Sequence, residues 1–172
     1  MSAEWYKEQP KNRNFLSPIG FKLKLERFEG VDFFCQSANI PDIQMPFTDV
    51  PTRFRNVPIV PGGGVTFGDL SLRFIIDEDL VNYHSIYKWI RQNGRADRDV
   101  DTPDEPQYSN GIIEVTTSNM NTNFVVEFVN MFPINLSNIV FDASAGDIEY
   151  ITADVTFKYQ QFNLRNKNSQ LL

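Results

Sequence analysis

The sequence predicts a mainly β, antiparallel fold with one α-helix. Its closing segment, Ile151–Phe162, is the clearest reason: Ile151, Ala153, Val155, Phe157 and Tyr159 fall on one face, and Thr152, Asp154, Thr156, Lys158 and Gln160 on the other. That alternation describes a strand with one buried and one wet side. Only one stretch repeats apolar residues at helical spacing, and fifteen Phe among 172 residues, with 13% aromatics overall, favour strands. With 41% hydrophobic residues, a chain of this length can bury the core of one domain.

Taken in order, residues 1–18 are polar, end in Ser17-Pro18 and read as an arm. A first strand spans Ile19 to Arg27, with Ile19, Phe21, Leu23 and Leu25 on its apolar face. Glu29-Gly30 then turns the chain into a second strand, Val31 to Ala38, so the pair is expected as a β-hairpin. Pro41 to Gly64 carries five prolines in 24 residues and closes on a triple glycine, which forbids a central strand. Its apolar residues, among them Phe47, Val50, Phe54, Val57, Ile59 and Val60, are too many for a disordered linker. Two readings fit: a loop folded over its own sheet, or a protruding hairpin that docks on a partner, which the apolar content favours.

Asp69 to Ile76 alternates again and stops at Asp77-Glu-Asp79, where carboxylates suit a helix N-terminus. Leu80, Tyr83, Ile86, Tyr87, Trp89 and Ile90 then recur at helical spacing, placing a helix over Asp79–Gln92 that ends at Asn93-Gly94. Residues 94–110 read as a polar surface loop. Ile112–Ser118 and Asn123–Met131 form a second hairpin, and Pro133 to Gly146 crosses to the final strand. The total is six or seven strands and one helix, with no internal repeat or domain break.

Chemistry finds little foothold. The lone Cys35 follows an apolar run and reads as a small buried hydrophobe, and one cysteine allows no intramolecular disulfide framework. His84, the only histidine, sits within the predicted helix without a nameable Ser/His/Asp arrangement. The glycines at 62–64 lack the Lys-Ser/Thr of a phosphate loop. Asp97-Arg-Asp99-Val-Asp101 copies half a calcium loop, but Thr102 and Tyr108 stand where the glycine and the bidentate glutamate belong. Asp147 and Glu149 are most simply turn residues, and the Asn135-Leu-Ser137 sequon is read as chance. No metal, cofactor or catalytic residue is expected. The formal charge is −6, and residues 1–30 are themselves positive, with six Lys/Arg against four acids. The acidic remainder argues against gripping nucleic acid, although DNA could slide past such a surface. No apolar stretch approaches the roughly 18 residues of a bilayer span and no signal-peptide core is present, so a cytosolic protein without a membrane is expected.

Phe34-Cys-Gln-Ser-Ala-Asn39, the apolar proline-rich segment, Leu70-Ser-Leu-Arg-Phe-Ile-Ile-Asp-Glu-Asp79 and the helix from Tyr83 to Trp89 together resemble the tail tube protein family of contractile-tailed bacteriophages. Val125–Pro133, Ser144–Glu149 and Ile151–Tyr159 resemble its closing strands, so the likeness covers roughly residues 15–162. It implies a β-sandwich or small barrel over residues 19–162 with one flanking helix and a long protruding hairpin, between an N-terminal arm and a tail from residue 163. It further implies hexameric rings that stack into a tube, within tail sheath and baseplate partners, for DNA that passes without specific binding. The location implied is a virion tail assembled in host cytoplasm. Similar subunits serve as baseplate tube initiators, and related rings occur in type VI secretion and other contractile injection systems. The hairpin would reach the next ring, making Phe47, Phe54, Val57, Ile59 and Val60 candidate contacts between subunits. Thr152, Asp154, Thr156, Lys158 and Gln160 would face a lumen, another subunit or solvent. A separate reading, a monomeric ligand-binding β-sandwich, rests on Tyr83, Tyr87, Trp89 and the acidic loop; an enzyme comes third.

Overall fold

The computed structural model describes residues 16–27, 35–60, 62–94, 106–141 and 150–166. Within them run β1 (Phe21–Leu25), β2 (Cys35–Ala38), β3 (Ile43–Gln44), β4 (Thr48–Pro51), β5 (Asn56–Ile59), β6 (Thr66–Phe67) and β7 (Leu70–Ile75). The helix α1 (Val81–Asn93) follows, then β8 (Ser109–Thr116), β9 (Thr122–Leu136), β10 (Thr152–Lys158) and β11 (Gln161–Asn166). Every pairing is antiparallel. The main path runs β1-β8-β9-β10-β7-β2, with β11 on the other side of β9. It does not close into a barrel and forms a β-sandwich-like body.

The fifteen-residue β9 serves both layers. Its first half pairs with β8 and β11, and Phe132–Leu136 pair with β10. The switch occurs at Asn130, which adopts the left-handed conformation (φ 53°) that Asn tolerates better than most side chains. β10 and β11 break at the same level. There the Gln160 N–H donates to the Val129 carbonyl (3.0 Å), and the Asn130 amide donates to Gln160 Oε1 (2.8 Å). A corner made by strands that change sheet lets one chain face a core from both layers.

That core is one cluster: Leu23 and Leu25 of β1, Leu70, Leu72 and Phe74 of β7, Ile113 and Val115 of β8, Val126, Phe128 and Met131 of β9, and Ala153, Val155 and Phe157 of β10. Ile86 and Trp89 from α1 complete it. The Trp89 ring lies 6.0 Å from that of Phe157, its indole N–H donates to the Gln107 carbonyl (3.0 Å), and Arg27 sits 5.1 Å above it. Trp89 thereby buries a large apolar surface without stranding its polar atom.

Several expectations need correction. The first two strands do not form a hairpin: β1 pairs with β8 and β2 with β7, at opposite ends of the strand order. Alternation identifies a strand's buried face but not its partner. Val31–Phe34 of the expected second strand lie outside the described residues. Ile19 is 81% exposed, not part of the buried face. The helix starts at Val81 and has no acid in its first turn or side-chain cap at Leu80. Buried Asn82 does the tying instead: its amide donates to the Ile75 carbonyl (2.8 Å), and its oxygen accepts from the Tyr83 N–H (2.7 Å). Leu80 and Tyr87 stay partly exposed, at 40% and 43%. Pro133–Leu136 lengthen β9 rather than crossing over, helped by a register shift between Thr156 and Phe157. The final strand ends at Lys158, and Asn163–Asn166, expected in a tail, belong to β11.

Candidate assembly interface

The described residues of 41–68 form a two-tier hairpin. β3 pairs with β6 at its root, and β4 pairs with β5 beyond, with Thr48 opposite Ile59 and Pro51 opposite Asn56. Among the described residues the outer ribbon has two unpaired edges, so prolines cost few ladder bonds; Pro58 sits opposite Asp49. At the tip, the Thr52 N–H donates to the Arg55 carbonyl (3.1 Å), closing a turn around Arg53 and Phe54. The hairpin protrudes: every residue of β4 and all but Val57 of β5 is exposed.

Its root is fixed to the body. The Gly68 N–H donates to the Asp42 carbonyl (3.0 Å), and the Tyr159 hydroxyl donates to the Gly68 carbonyl (2.8 Å). Phe67 meets the rings of Tyr159 (6.1 Å) and Phe162 (5.5 Å), which join Phe128 in one aromatic cluster. Burial, with smaller contributions from the Asp69 and Asp42 charges, pushes the Tyr159 hydroxyl up to about 12, so it remains a donor.

Of the five hairpin residues singled out from sequence, Phe54 is 92% exposed, Phe47 and Val60 are 69% exposed, and Ile59 is 47% exposed. Val57 is half-buried opposite Val50. Monomeric proteins seldom leave so many apolar side chains together in water. Arg53 and Arg55, which sequence reasoning passed over, flank Phe54, with Arg53 5.9 Å from its ring. Their alternation with Phe54 across the turn was the available signal.

On β10, Thr152, Asp154, Thr156 and Lys158 share the polar face, with Thr152 and Thr156 half-buried. Asp154 stands opposite Arg73 and accepts two bonds from it (2.8 and 3.0 Å). The Arg73 hydrogen bond, opposed by slight desolvation and aided by its charge, holds the Asp154 carboxyl below the usual range. Thr156 faces Ser71, and Lys158 pairs with Asp69. Gln160 is not on this face; it belongs to the corner with Asn130. The face therefore carries charges that are matched across neighbouring strands.

Sites for chemistry fare differently. His84 is exposed on α1, and Cys35 is half-buried with its thiol 3.5 Å from the Ser37 carbonyl. Among the described residues no three His, Cys, Asp or Glu gather as metal ligands, and no helix is long and apolar enough to cross a membrane. Asp97, Asp99, Asp101, Asp147 and Glu149 lie outside the described residues. A ligand platform of Tyr83, Tyr87 and Trp89 does not form: Trp89 is 1% exposed, and the Tyr83 hydroxyl donates to the Ser137 carbonyl (3.0 Å).

The fold is similar to that of a chain from the tube-terminating cap of the anti-feeding prophage (AFP), with a TM-score of 0.67 and 14% identity over 96% of this chain and 99% of that one. A chain from the extended sheath–tube complex of PVC, an extracellular contractile injection system, is also similar (TM-score 0.63, 13% identity, 90% and 93% covered). So is a chain from the six-fold symmetrised AFP baseplate (0.62, 12%, 85% and 91%). At such identities the likeness is one of fold. No protein of curated function matches the chain. The phage tail tube protein family model matches residues 8–165, nearly its whole length. The chain thus belongs to the phage tail tube protein family, as a tail-tube-like structural protein.

Proposed function

We propose that this chain is the repeating subunit of a tail tube, with six copies closing into a ring and rings stacking through the protruding hairpin. The observation that carries the reading is the hairpin itself, an apolar ribbon exposed along its length yet rooted firmly in a packed body. β1, β11 and β2 leave outer edges without a described partner, and ring closure pairs such edges and removes an aggregation hazard. The ion-matched face of β10 and β7 suits the lumen. Its cations are already engaged by carboxylates, which weakens their hold on a passing phosphate backbone. DNA then passes without specific binding, inside a tube dressed by sheath and seated on a baseplate in the virion tail.

Purified protein followed by negative-stain microscopy and light scattering across concentration should form six-fold rings or tubes. Persistent monomers under virion-like conditions overturn the reading. A baseplate tube initiator is the second reading, because the chain from the AFP baseplate resembles this fold as well as the chain from the PVC sheath–tube complex does. One ring's worth of copies per particle selects the initiator, and many rings' worth selects the tube.

A further inference from the structure

We infer that the hairpin tip Arg53-Phe54-Arg55 docks on the Glu78–Val81 turn of a second copy of this chain in the adjoining ring. The inference rests on the stacked-tube reading and names its contact. The tip presents one nearly fully exposed ring between two guanidinium groups. Its receptor must therefore combine an apolar step with carboxylates. Many acids on the described surface are already taken: Asp69, Glu114, Glu127 and Asp154 each hold a cation. Glu78 and Asp79 are exposed and have no cationic partner among the described residues, and beside them Leu80 is 40% and Val81 58% exposed. Asp77 adds a third carboxylate, one oxygen of which is buried with no hydrogen-bond partner. These formal charges outweigh the partial positive charge at the start of α1, and guanidinium groups pair with carboxylates in a directional, two-bond geometry.

Topology supplies an independent reason. The hairpin enters β7 at Leu70, whereas the acidic turn leaves it after Ile75, so donor and receptor flank opposite ends of one six-residue strand. At about 3.3 Å per residue the hairpin's root and the acidic turn stand roughly 20 Å apart, with the tip farther out still. A tip on one end and its complement on the other make a head-to-tail contact, which repeats along an axis instead of closing as a two-fold pair.

The test is a charge exchange in the full chain: Arg53→Glu with Arg55→Glu, Glu78→Lys with Asp79→Lys, and all four together, each checked by circular dichroism for folding. Electron microscopy and sedimentation should show tubes for the wild type, rings without tubes for either pair alone, and tubes restored in the fourfold variant. Mixing the two paired variants should also restore alternating stacks. Wild-type tubes that survive either exchange, or a fourfold variant that stays unstacked, overturn the contact alone. A wild-type chain that never assembles overturns the tube reading and the contact with it.

Discussion

The β10–β7 pair and the β4–β5 ribbon are both antiparallel and both rich in apolar residues, yet they spend them in opposite ways. On β7 and β10 the apolar residues alternate, and Leu70, Leu72, Phe74, Val155 and Phe157 are all at most 2% exposed. On the ribbon they are interrupted by prolines and point into water. The β7–β10 pair hides its apolar residues inside the body's own core, whereas the ribbon leaves its own in water. Folding and assembly are thereby assigned to separate stretches of one sequence, and substitutions should separate them, most sharply on the stability of the isolated subunit.

The largest loss there is expected from Trp89→Ala. Removing the indole empties the space against Phe157 and takes away one of the two side-chain donors to the Gln107 carbonyl, the Asn93 amide being the other, a cost of about 3–5 kcal/mol. Thermal unfolding of the dilute protein should shift down by roughly 10 °C, given about 2–4 °C per kcal/mol at this size. A Trp89→Ala protein that melts like the wild type breaks the claim that the core cluster holds the subunit together.

An intermediate loss is expected where the two regions join. Tyr159→Phe keeps the ring among Phe67, Phe128 and Phe162 but removes the bond to the Gly68 carbonyl, costing about 1 kcal/mol. The hydroxyl's raised pKa sets the sign of the pH effect. Its folded proton is held more tightly than the unfolded one, so the contribution is whole below about pH 10 and fades as pH climbs toward about 12. A phenolate absorbance titration should contain a lagging step near pH 12, and Tyr159→Phe should abolish it. A titration with no lagging tyrosine removes the joint from the account.

The same contrast explains what could be read in advance. β7, β10 and the inward residues Ile86 and Trp89 were legible because burial on one side imposes a period of two or 3.6 on the residues themselves. The pairing of β1 with β8, the corner at Asn130 and the Asn82 tie were not, because they depend on residues far apart in the chain or on one amide placed at a turn. Gln160 continues the alternation of β10 by count, but the chain has already turned the corner there. At the candidate interface, proline density with apolar content pointed to a protruding segment. Val57 is half-buried opposite Val50, a pairing that residue period does not reveal, and Arg53 and Arg55 carry no apolar signal that would single them out.

The smallest expected effect on the subunit comes from Phe54→Asp combined with Ile59→Asp. Phe54 is 92% exposed and Ile59 about half exposed, and neither belongs to the core cluster, so the exchange removes little buried area and the monomer should keep its stability within about 0.5 kcal/mol. Their circular dichroism spectra and melting curves should overlay those of the wild type. Stacking should nonetheless vanish, because an aspartate at position 54 puts a carboxylate, between two arginines, where an apolar ring is needed to exclude water from the contact. Ile59 lies opposite Thr48 at the base of the same ribbon, so the second substitution spoils its flank as well as its tip. A double variant that melts early shows the hairpin to be part of the folding core. One that melts normally and still builds tubes shows that the exposed apolar surface serves something other than ring stacking.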